Sequence, residues 1–197
     1  LKQLELRVDF RDIIPCGLMV GPNDCLFEQY KFRIYLRSGL LEDRRELIRT
    51  FAHELKHIAQ EEGIAFLSTP FSVDAARFLV REIGVPALKI ASGDLTCTPL
   101  LEYAASTDVP LLVSTGMATL QELLPRVYKQ SLAIAAAAGR LCLLHCTSSY
   151  PLSPSQANLR AITTMREACP CLVGYSDHTT DYELIPALAV AQGAVVY

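Results

Sequence analysis

The chain has 197 residues, of which 51% are hydrophobic and 20% are charged, a composition typical of a folded globular domain. The formal charge of −3 provides no general basic field, which argues against nucleic acid and anionic membrane surfaces as partners. No apolar run is long enough for a membrane helix, and the first ten residues lack the hydrophobic stretch of a signal peptide. We therefore expect a cytoplasmic protein.

Residues 1–40 are an N-terminal segment that does not share the pattern of the rest, so a domain boundary is predicted near residue 40. Residues 4–10 alternate apolar and charged side chains, which predicts a half-exposed strand, and residues 12–21 are its expected antiparallel partner. Residues 42–62 place apolar side chains on one helical face, which predicts a helix. The seven cysteines form no C-x-x-C pair and are expected to be free thiols.

Residues 41–197, the predicted second domain, repeat one pattern from residue 64 onward. Short apolar runs, several ending in Ser or Thr, lie at 64–69, 87–92, 110–115, 141–148, 171–176 and 194–197. They are apolar on both faces, as are strands of a covered parallel sheet. Helix signals lie between them: Ser72 opens a stretch through Ile83, and Thr119 with Glu122 and Thr180 with Glu183 are predicted capping boxes. Pro186 is expected to shorten or kink the last helix.

The spacing between successive strand ends is 22 to 34 residues, which is the size of a βα unit. No G-x-G-x-x-G motif follows any strand, so a (β/α)8 TIM barrel fits better than a dinucleotide-binding sheet. In such a barrel the carboxyl ends of the strands build the active site. The predicted fold class is therefore α/β, a TIM barrel.

Several residues at these strand ends could carry chemistry. Lys89 lies inside an apolar strand, so its ammonium must reach an end of the sheet or meet an anion. Ser92, Ser114 and Ser148 lie at equivalent strand-to-turn junctions, which together suggest a cradle for phosphate or carboxylate. His178 could bind a metal, transfer a proton or cap a turn, whereas His145, within a strand, is expected to belong to the core.

Six motifs match a known family in order and spacing, over roughly two-thirds of the chain. They are FLSTPF at 66–71, LKIASGD at 88–94, STGMAT at 114–119, HCTSSYP at 145–151, NLRAI at 158–162 and GYSDHT at 174–179. With these motifs the chain resembles the N-acetylneuraminate (sialic acid) synthases and related nonulosonic acid synthases.

This resemblance implies condensation of phosphoenolpyruvate with an N-acylated amino sugar, N-acetylmannosamine or its 6-phosphate in the namesake enzymes. Carbon 3 of phosphoenolpyruvate attacks the sugar aldehyde, water adds at carbon 2, and the tetrahedral intermediate expels phosphate. A divalent metal, usually Mn²⁺ but with Mg²⁺ or another ion as alternatives, polarises the aldehyde. The full-length protein is expected to be a homodimer.

The resemblance also assigns roles to residues at the strand ends. The phosphoenolpyruvate-binding set it implies is Lys89, Ser92, Ser114, Ser148, Tyr150 and Ser176, with Thr69 at the mouth in a less defined role. It implies that His178 is one of two metal-binding histidines.

Parts of the family pattern are not found in these 197 residues. The first strand with a catalytic Glu, the second strand and the end of the eighth with its histidine are missing, so the chain corresponds to barrel strands three to eight. We therefore expect the 197 residues alone to be inactive. Two alternatives remain open: a non-catalytic remnant that binds anions or acts as a scaffold, and another phosphoenolpyruvate-condensing barrel such as a 3-deoxy-octulosonate phosphate synthase.

Overall fold

The computed structural model describes residues 3–8, 32–37 and 44–197. The chain forms two compact units, Leu1–Phe66 and Leu67–Tyr197. The domain boundary expected near residue 40 stays a prediction. Within the described residues, no helix is long and apolar enough to cross a membrane.

The first unit contains a two-stranded antiparallel sheet and one long helix. Strand β1 (Gln3–Val8) pairs with β2 (Phe32–Arg37), with Gln3 opposite Arg37 and Val8 opposite Phe32. The predicted first strand is confirmed, and its described partner is β2, while the expected partner at 12–21 lies outside the described residues. Helix α1 (Arg44–Glu61) confirms the helix predicted for 42–62.

The second unit alternates strands and helices along a parallel sheet. Its elements are α2 (Val73–Phe78), β3 (Leu88–Ile90), α3 (Thr98–Ser106), β4 (Leu111–Ser114), α4 (Leu120–Lys129), α5 (Ala133–Ala137), β5 (Leu141–Cys146), α6 (Arg160–Ala168), β6 (Leu172–Ser176) and α7 (Leu184–Ala191). A π-helical turn (Leu79–Ile83) continues α2, and short 3₁₀ turns lie at Ser92–Asp94 and Pro154–Gln156. This confirms the predicted α/β class with a parallel sheet.

The four strands are ordered β3-β4-β5-β6, which is their order in the sequence. A doubly wound sheet reverses its strand order at a switch point, whereas a (β/α)8 barrel adds each strand beside the preceding one. The last residues extend the same order, because Val195 N–H donates to Val173 and Tyr175 N–H donates to Val196. Gly174 permits this approach, since a Cβ atom there would lie 2.5 Å from the Val196 carbonyl oxygen.

The core explains why the strand sequences are apolar on both faces. Every residue of β5 is buried, and the inner positions of β3 and β4 are completely enclosed, Leu88, Ile90, Leu111 and Val113 among them. Helices α3 and α6 contribute Leu100, Leu101 and Ile162 to the same core. Strands covered on two sides have no polar face to alternate with the apolar one.

The strand expected at 64–69 is not formed, and residues 64–70 adopt neither helix nor strand. In the described residues, β3 has a ladder only with β4. Ile64 and Leu67 are also 45% and 43% exposed, respectively. An apolar run becomes a strand only where a neighbour supplies backbone hydrogen bonds.

The helix signals were correct at two of three predicted starts. Ser72 accepts a hydrogen bond from Ala75 N–H, and Thr119 forms a reciprocal capping box with Glu122. The capping box predicted for Thr180 and Glu183 is wrong, because Asp181 Oδ1 accepts the N–H groups at the start of α7 instead. Pro186 lies in the first turn of α7, which begins two residues before it, and proline is tolerated in a first turn. The expected shortening or kinking by Pro186 stays a prediction.

Candidate functional site

The carboxyl ends of the parallel strands bring several of the predicted residues to one edge of the sheet. Ser92 follows β3, Ser114 ends β4, Cys146 ends β5 and Ser176 ends β6. In the strand register Cys146 is paired with Ser176. We call this edge the mouth.

Gly116 is the point on which two of the predicted serines converge. Its N–H donates a 3.0 Å hydrogen bond to Ser92 Oγ. A Cβ atom at this position would lie 2.7 Å from Ser148 Oγ, 2.9 Å from Ser92 Oγ and 3.2 Å from the Cys146 carbonyl oxygen. A side chain at this position would therefore require both hydroxyls to shift, and the structure does bring Ser92 and Ser148 together.

Ser114 differs from its neighbour in how its hydroxyl is satisfied. Its side chain is 2% exposed, and its Oγ has no hydrogen-bond partner within the described residues. Thr115 Oγ1, in contrast, donates to the Leu144 carbonyl at 3.1 Å. An unsatisfied buried hydroxyl costs about 1–3 kcal/mol, so Ser114 leaves a hydrogen-bonding group available at the mouth.

Lys89 is half-buried in the middle of β3. Burial lowers the pKa of its ammonium, and the smaller influence of Cys146 acts in the opposite direction. No carboxylate in the described part of the chain forms an ion pair with Lys89. The lysine is therefore a partly desolvated cation whose charge an anionic ligand could balance.

His178 is buried and its ring orientation is fixed by the backbone. Its Nδ1 lies 2.7 Å from the Thr147 carbonyl oxygen. Because a carbonyl can only accept, Nδ1 carries the proton, and the lone pair of the neutral ring is on Nε2. The ring of Tyr150 lies 4.1 Å from the His178 ring, centroid to centroid, although Tyr150 is 72% exposed.

Cys146 connects these groups, and the sequence did not identify it as part of the site. Ser92 Oγ donates to Cys146 Sγ at 3.6 Å, and the same sulfur lies 3.9 Å from His178 Nδ1. Its position at the end of a predicted strand, directly before Thr147 and Ser148, was the available signal. From its residue type alone, Cys146 was expected to be one more free thiol.

The five described cysteines are free thiols, as predicted; they are Cys97, Cys142, Cys146, Cys169 and Cys171. Burial raises the pKa of Cys142 to about 11 and that of Cys171 to about 12. These two thiols therefore remain protonated near neutral pH. Cys16 and Cys25 lie outside the described residues.

Asp177 lies between Ser176 and His178 in the chain, and its carboxylate accepts several hydrogen bonds. Thr179 donates to it twice, from N–H at 2.8 Å and from Oγ1 at 3.0 Å, and the Tyr197 hydroxyl donates to Oδ2. Burial of the phenol, and to a lesser extent the Asp177 carboxylate, raise the pKa of Tyr197. The sequence did not assign a role to either residue.

His145 and Thr69 do not join the contacts at the mouth. His145 Nε2 lies 2.9 Å from the Ala157 carbonyl and its ring stacks on Tyr175 at 5.6 Å, so its predicted core role is confirmed. Burial lowers the pKa of His145. Thr69 is half-buried in the irregular stretch 64–70, with no hydrogen bond to the other candidate residues among those described.

The side chains at the mouth include few that could bind a metal ion. Within residues 3–8, 32–37 and 44–197, no group of three or more His, Cys, Asp or Glu side chains could hold a metal ion. His178 Nε2 fits as a single ligand. The described residues therefore do not make a complete metal site.

A comparison with protein-family models finds one family that matches this chain. The NeuB family model matches residues 39–197, which is most of the chain. The chain belongs to the NeuB family. This membership confirms the family resemblance of the six motifs.

Curated relatives extend beyond this chain. It is 43% identical over 148 residues to the N,N'-diacetyllegionaminic acid synthase of Legionella pneumophila, covering 72% of this chain and 40% of the relative. It is 38% identical over 160 residues to the mouse N-acetylneuraminate-9-phosphate synthase, covering 79% of this chain and 42% of the relative. The chain thus spans about two-fifths of the length of these relatives.

Solved structures confirm the fold class. The N-acetylneuraminic acid synthetase of Leptospira borgpetersenii, solved with citrate, matches with a TM-score of 0.66 and 40% identity over 75% of this chain and 50% of that chain. A truncated 3-deoxy-D-arabino-heptulosonate 7-phosphate synthase from Thermotoga maritima matches with a TM-score of 0.57 at 18% identity, which supports the fold alone. Both are TIM-barrel synthases, and the partial coverage is consistent with a partial barrel.

Proposed function

We propose that the protein containing this chain condenses phosphoenolpyruvate with an N-acetylmannosamine-type amino sugar or its 6-phosphate. The products are N-acetylneuraminate or a related nonulosonic acid and inorganic phosphate. Membership of the NeuB family supports an enzyme of this class, because the matching relatives are named as legionaminic, pseudaminic and N-acetylneuraminate-9-phosphate synthases. The identity of the amino sugar is part of the proposal.

The convergence of Ser92 and Ser148 on Gly116 is the observation that carries the proposal. Two hydroxyls within 3 Å of one Cβ position place two neutral hydrogen-bonding groups close together at the mouth. Neutral donors can bind phosphate or carboxylate oxygens without the cost of burying several cations together. Phosphoenolpyruvate carries both of these anionic groups.

Lys89 supplies positive charge to this ligand. The ammonium is partly desolvated and has no described carboxylate partner, so it is ready to interact with an anion. A charge-assisted hydrogen bond contributes about 1.5–3 kcal/mol, which is more than a neutral hydroxyl provides. Lys89 therefore determines affinity, and the serines determine orientation.

The remaining residues of the proposed set have positions that suit particular roles. The unpartnered Ser114 hydroxyl can donate to a ligand oxygen, and Ser176 lies beside Cys146 at the end of β6. Tyr150, exposed and close to His178, can contact the part of the ligand nearer solvent. Thr69 is the weakest member of the set, since no hydrogen bond joins it to the others in the described chain.

His178 is proposed as one ligand of a divalent metal, Mn²⁺ or Mg²⁺. The Thr147 carbonyl fixes the tautomer that leaves Nε2 free, and a fixed tautomer is a common requirement for a metal-binding histidine. Such a metal would supply Lewis acidity toward the sugar aldehyde. Because the described residues do not complete a metal site, we assign no reaction step to it.

The chemistry then requires the mouth to do two things. It must hold phosphoenolpyruvate with carbon 3 toward the aldehyde, and it must neutralise charge as phosphate leaves carbon 2. When both substrates are bound in a fixed geometry, the reaction takes place within one complex and does not depend on a chance collision. Hydrogen-bond donors that are already in position stabilise the negative charge on the leaving phosphate without first having to rearrange. Ser92, Ser148 and Lys89 perform the second task.

The experiment is an assay of inorganic phosphate release from phosphoenolpyruvate by the full-length protein. Mn²⁺ and a panel of N-acylated mannosamine-type sugars, with and without a 6-phosphate, would be supplied. We expect release that depends on the sugar and a nonulosonic acid product by mass spectrometry. Phosphoenolpyruvate binding without release for any sugar would contradict the proposal and favour an anion-binding remnant. Aldose phosphates without an N-acyl group would be supplied in parallel, and release only with one of these would favour the octulosonate alternative.

A further inference from the structure

The turn after β4 contains a methionine in a conformation that suits glycine. Ala118 N–H donates to the Thr115 carbonyl at 3.2 Å, so residues 115–118 form a β-turn with Gly116 and Met117 at its centre. Met117 has φ of 67°, and Gly116 is not among the residues with positive φ. This is a type II pattern, in which the third position favours glycine or asparagine.

The order of the two central residues is therefore the reverse of the usual one. Gly116 occupies the second position because a Cβ atom would collide with the Ser92 and Ser148 hydroxyls. Met117 occupies the third position, where a long side chain costs about 1–2 kcal/mol. Elsewhere in the described chain, positive φ angles are adopted by one asparagine and four glycines, the residue types that tolerate them; they are Asn158, Gly63, Gly84, Gly139 and Gly193.

The fold does not recover this cost through packing. The Met117 side chain is 76% exposed, so it buries little apolar surface. Its Cα lies about 3.8 Å from that of Gly116, so Met117 is the next residue along the chain from the point where the two serine hydroxyls converge. A strained, exposed apolar residue next to a ligand cradle is expected where the side chain has a function in binding.

The chemistry of the side chain indicates which substrate it meets. Phosphoenolpyruvate is mainly anionic, and its charges match Lys89 and the serine hydroxyls rather than a thioether. The second substrate carries an N-acyl group, whose methyl is apolar and suits a flexible, polarizable methionine. We infer that Met117 contacts the N-acyl group of the acceptor sugar and helps to select that sugar; this inference rests on the proposed function.

The test compares Met117→Ala and Met117→Gly in the full-length protein. Both variants remove the side chain, but only glycine also relieves the strained backbone. We expect the KM for an N-acetylated sugar to rise about tenfold in both, as for loss of an apolar contact in a pocket. The KM for phosphoenolpyruvate should stay within about twofold of wild type, and only Met117→Gly should raise the Tm.

A series of acceptors and a control variant sharpen the result. The penalty should shrink for a sugar with a larger N-acyl group that fills the vacated space. Ile134→Ala, which truncates a 65% exposed apolar side chain on α5, should change neither KM. An unchanged acceptor KM in Met117→Ala, or equal rises for both substrates, would overturn the inference while leaving the proposed function intact. Absence of phosphate release by wild type with every sugar would overturn both.

Discussion

Ser148 Oγ lies 2.7 Å from the position that a Cβ atom would take on Gly116. The two residues are far apart in the chain: Ser148 lies on the loop after β5 and Gly116 on the loop after β4. Their proximity in the fold places the Ser148 hydroxyl next to the Gly116 backbone, which carries no side chain. Because Ser92 Oγ also accepts the Gly116 N–H, the glycine is enclosed from two sides. The proposed ligand cradle depends on this absence of a side chain.

Gly116→Ala should disturb the cradle more than it disturbs the sheet. The added methyl would push against Ser148 Oγ, Ser92 Oγ and the Cys146 carbonyl, and overpacking of this kind costs about 1–3 kcal/mol. We expect this loss in the free energy of unfolding and a weaker phosphoenolpyruvate affinity by calorimetric titration. Gly93→Ala is the stability control, since a Cβ atom there meets nothing within 4 Å. Equal stability of the two variants would contradict the expected collision.

Lys89→Met should separate ligand affinity from fold stability. Loss of the ammonium should weaken phosphoenolpyruvate binding by about 1.5–3 kcal/mol, the contribution of a charge-assisted hydrogen bond. The free energy of unfolding should not fall, because burial disfavours the charged form that the variant removes. Calorimetry on the folded variant checks the first statement and chemical denaturation the second. Unchanged affinity would remove Lys89 from the site.

The lowered pKa of Lys89 also predicts a pH dependence. The ammonium is charged below its pKa, so the Lys89 contribution to affinity is full at lower pH and is lost as pH rises through that pKa. Because the pKa is lowered, this loss should begin at a lower pH than for an ordinary lysine. Lys89→Arg stays charged throughout, so the difference between the wild-type and variant titrations isolates Lys89. Parallel pH profiles would show that Lys89 does not carry the effect.

Ser114→Ala should weaken binding without harming the fold. The hydroxyl has no described partner, so its removal should leave the free energy of unfolding unchanged or raise it by up to about 1 kcal/mol. Affinity for phosphoenolpyruvate should fall by about 0.5–1.5 kcal/mol, the worth of one neutral hydrogen bond. Thr115→Val is the matched control and should show lower stability, since its hydroxyl bonds to Leu144. A marked loss of stability in Ser114→Ala would mean that the hydroxyl is satisfied within the protein.

His178→Ala should reduce Mn²⁺ binding by the full-length protein, measured by the relaxation rate of water protons. The reason is the loss of Nε2, which the hydrogen bond from Nδ1 to Thr147 leaves free. His145→Ala should keep the Mn²⁺ affinity but lower the stability, because His145 bonds to Ala157 and stacks on Tyr175 within the core. Equal Mn²⁺ affinity in wild type and His178→Ala would exclude His178 as a ligand.

The sequence by itself determined the βα alternation, the parallel sheet and the family. Strands buried on both faces have no polar face, so runs such as residues 141–146 are readable without a structure. The helix starts at Ser72 and Thr119 could also be predicted from the sequence, because an N-cap depends only on residues within one helical turn. The same local reasoning was wrong at 64–69, where pairing with another strand decides the conformation and the sequence of the run does not.

Only the tertiary structure decided how the candidate residues meet. Cys146 contacts Ser92 and His178 through the folding of three separate βα units, and no spacing in the chain encodes those distances. Burial likewise left Ser114 without a partner and lowered the pKa of Lys89, since both effects depend on what surrounds a side chain. The strained Met117 is also a tertiary result: Gly116 must be bare because Ser148 approaches it, and the turn then places the next residue at positive φ.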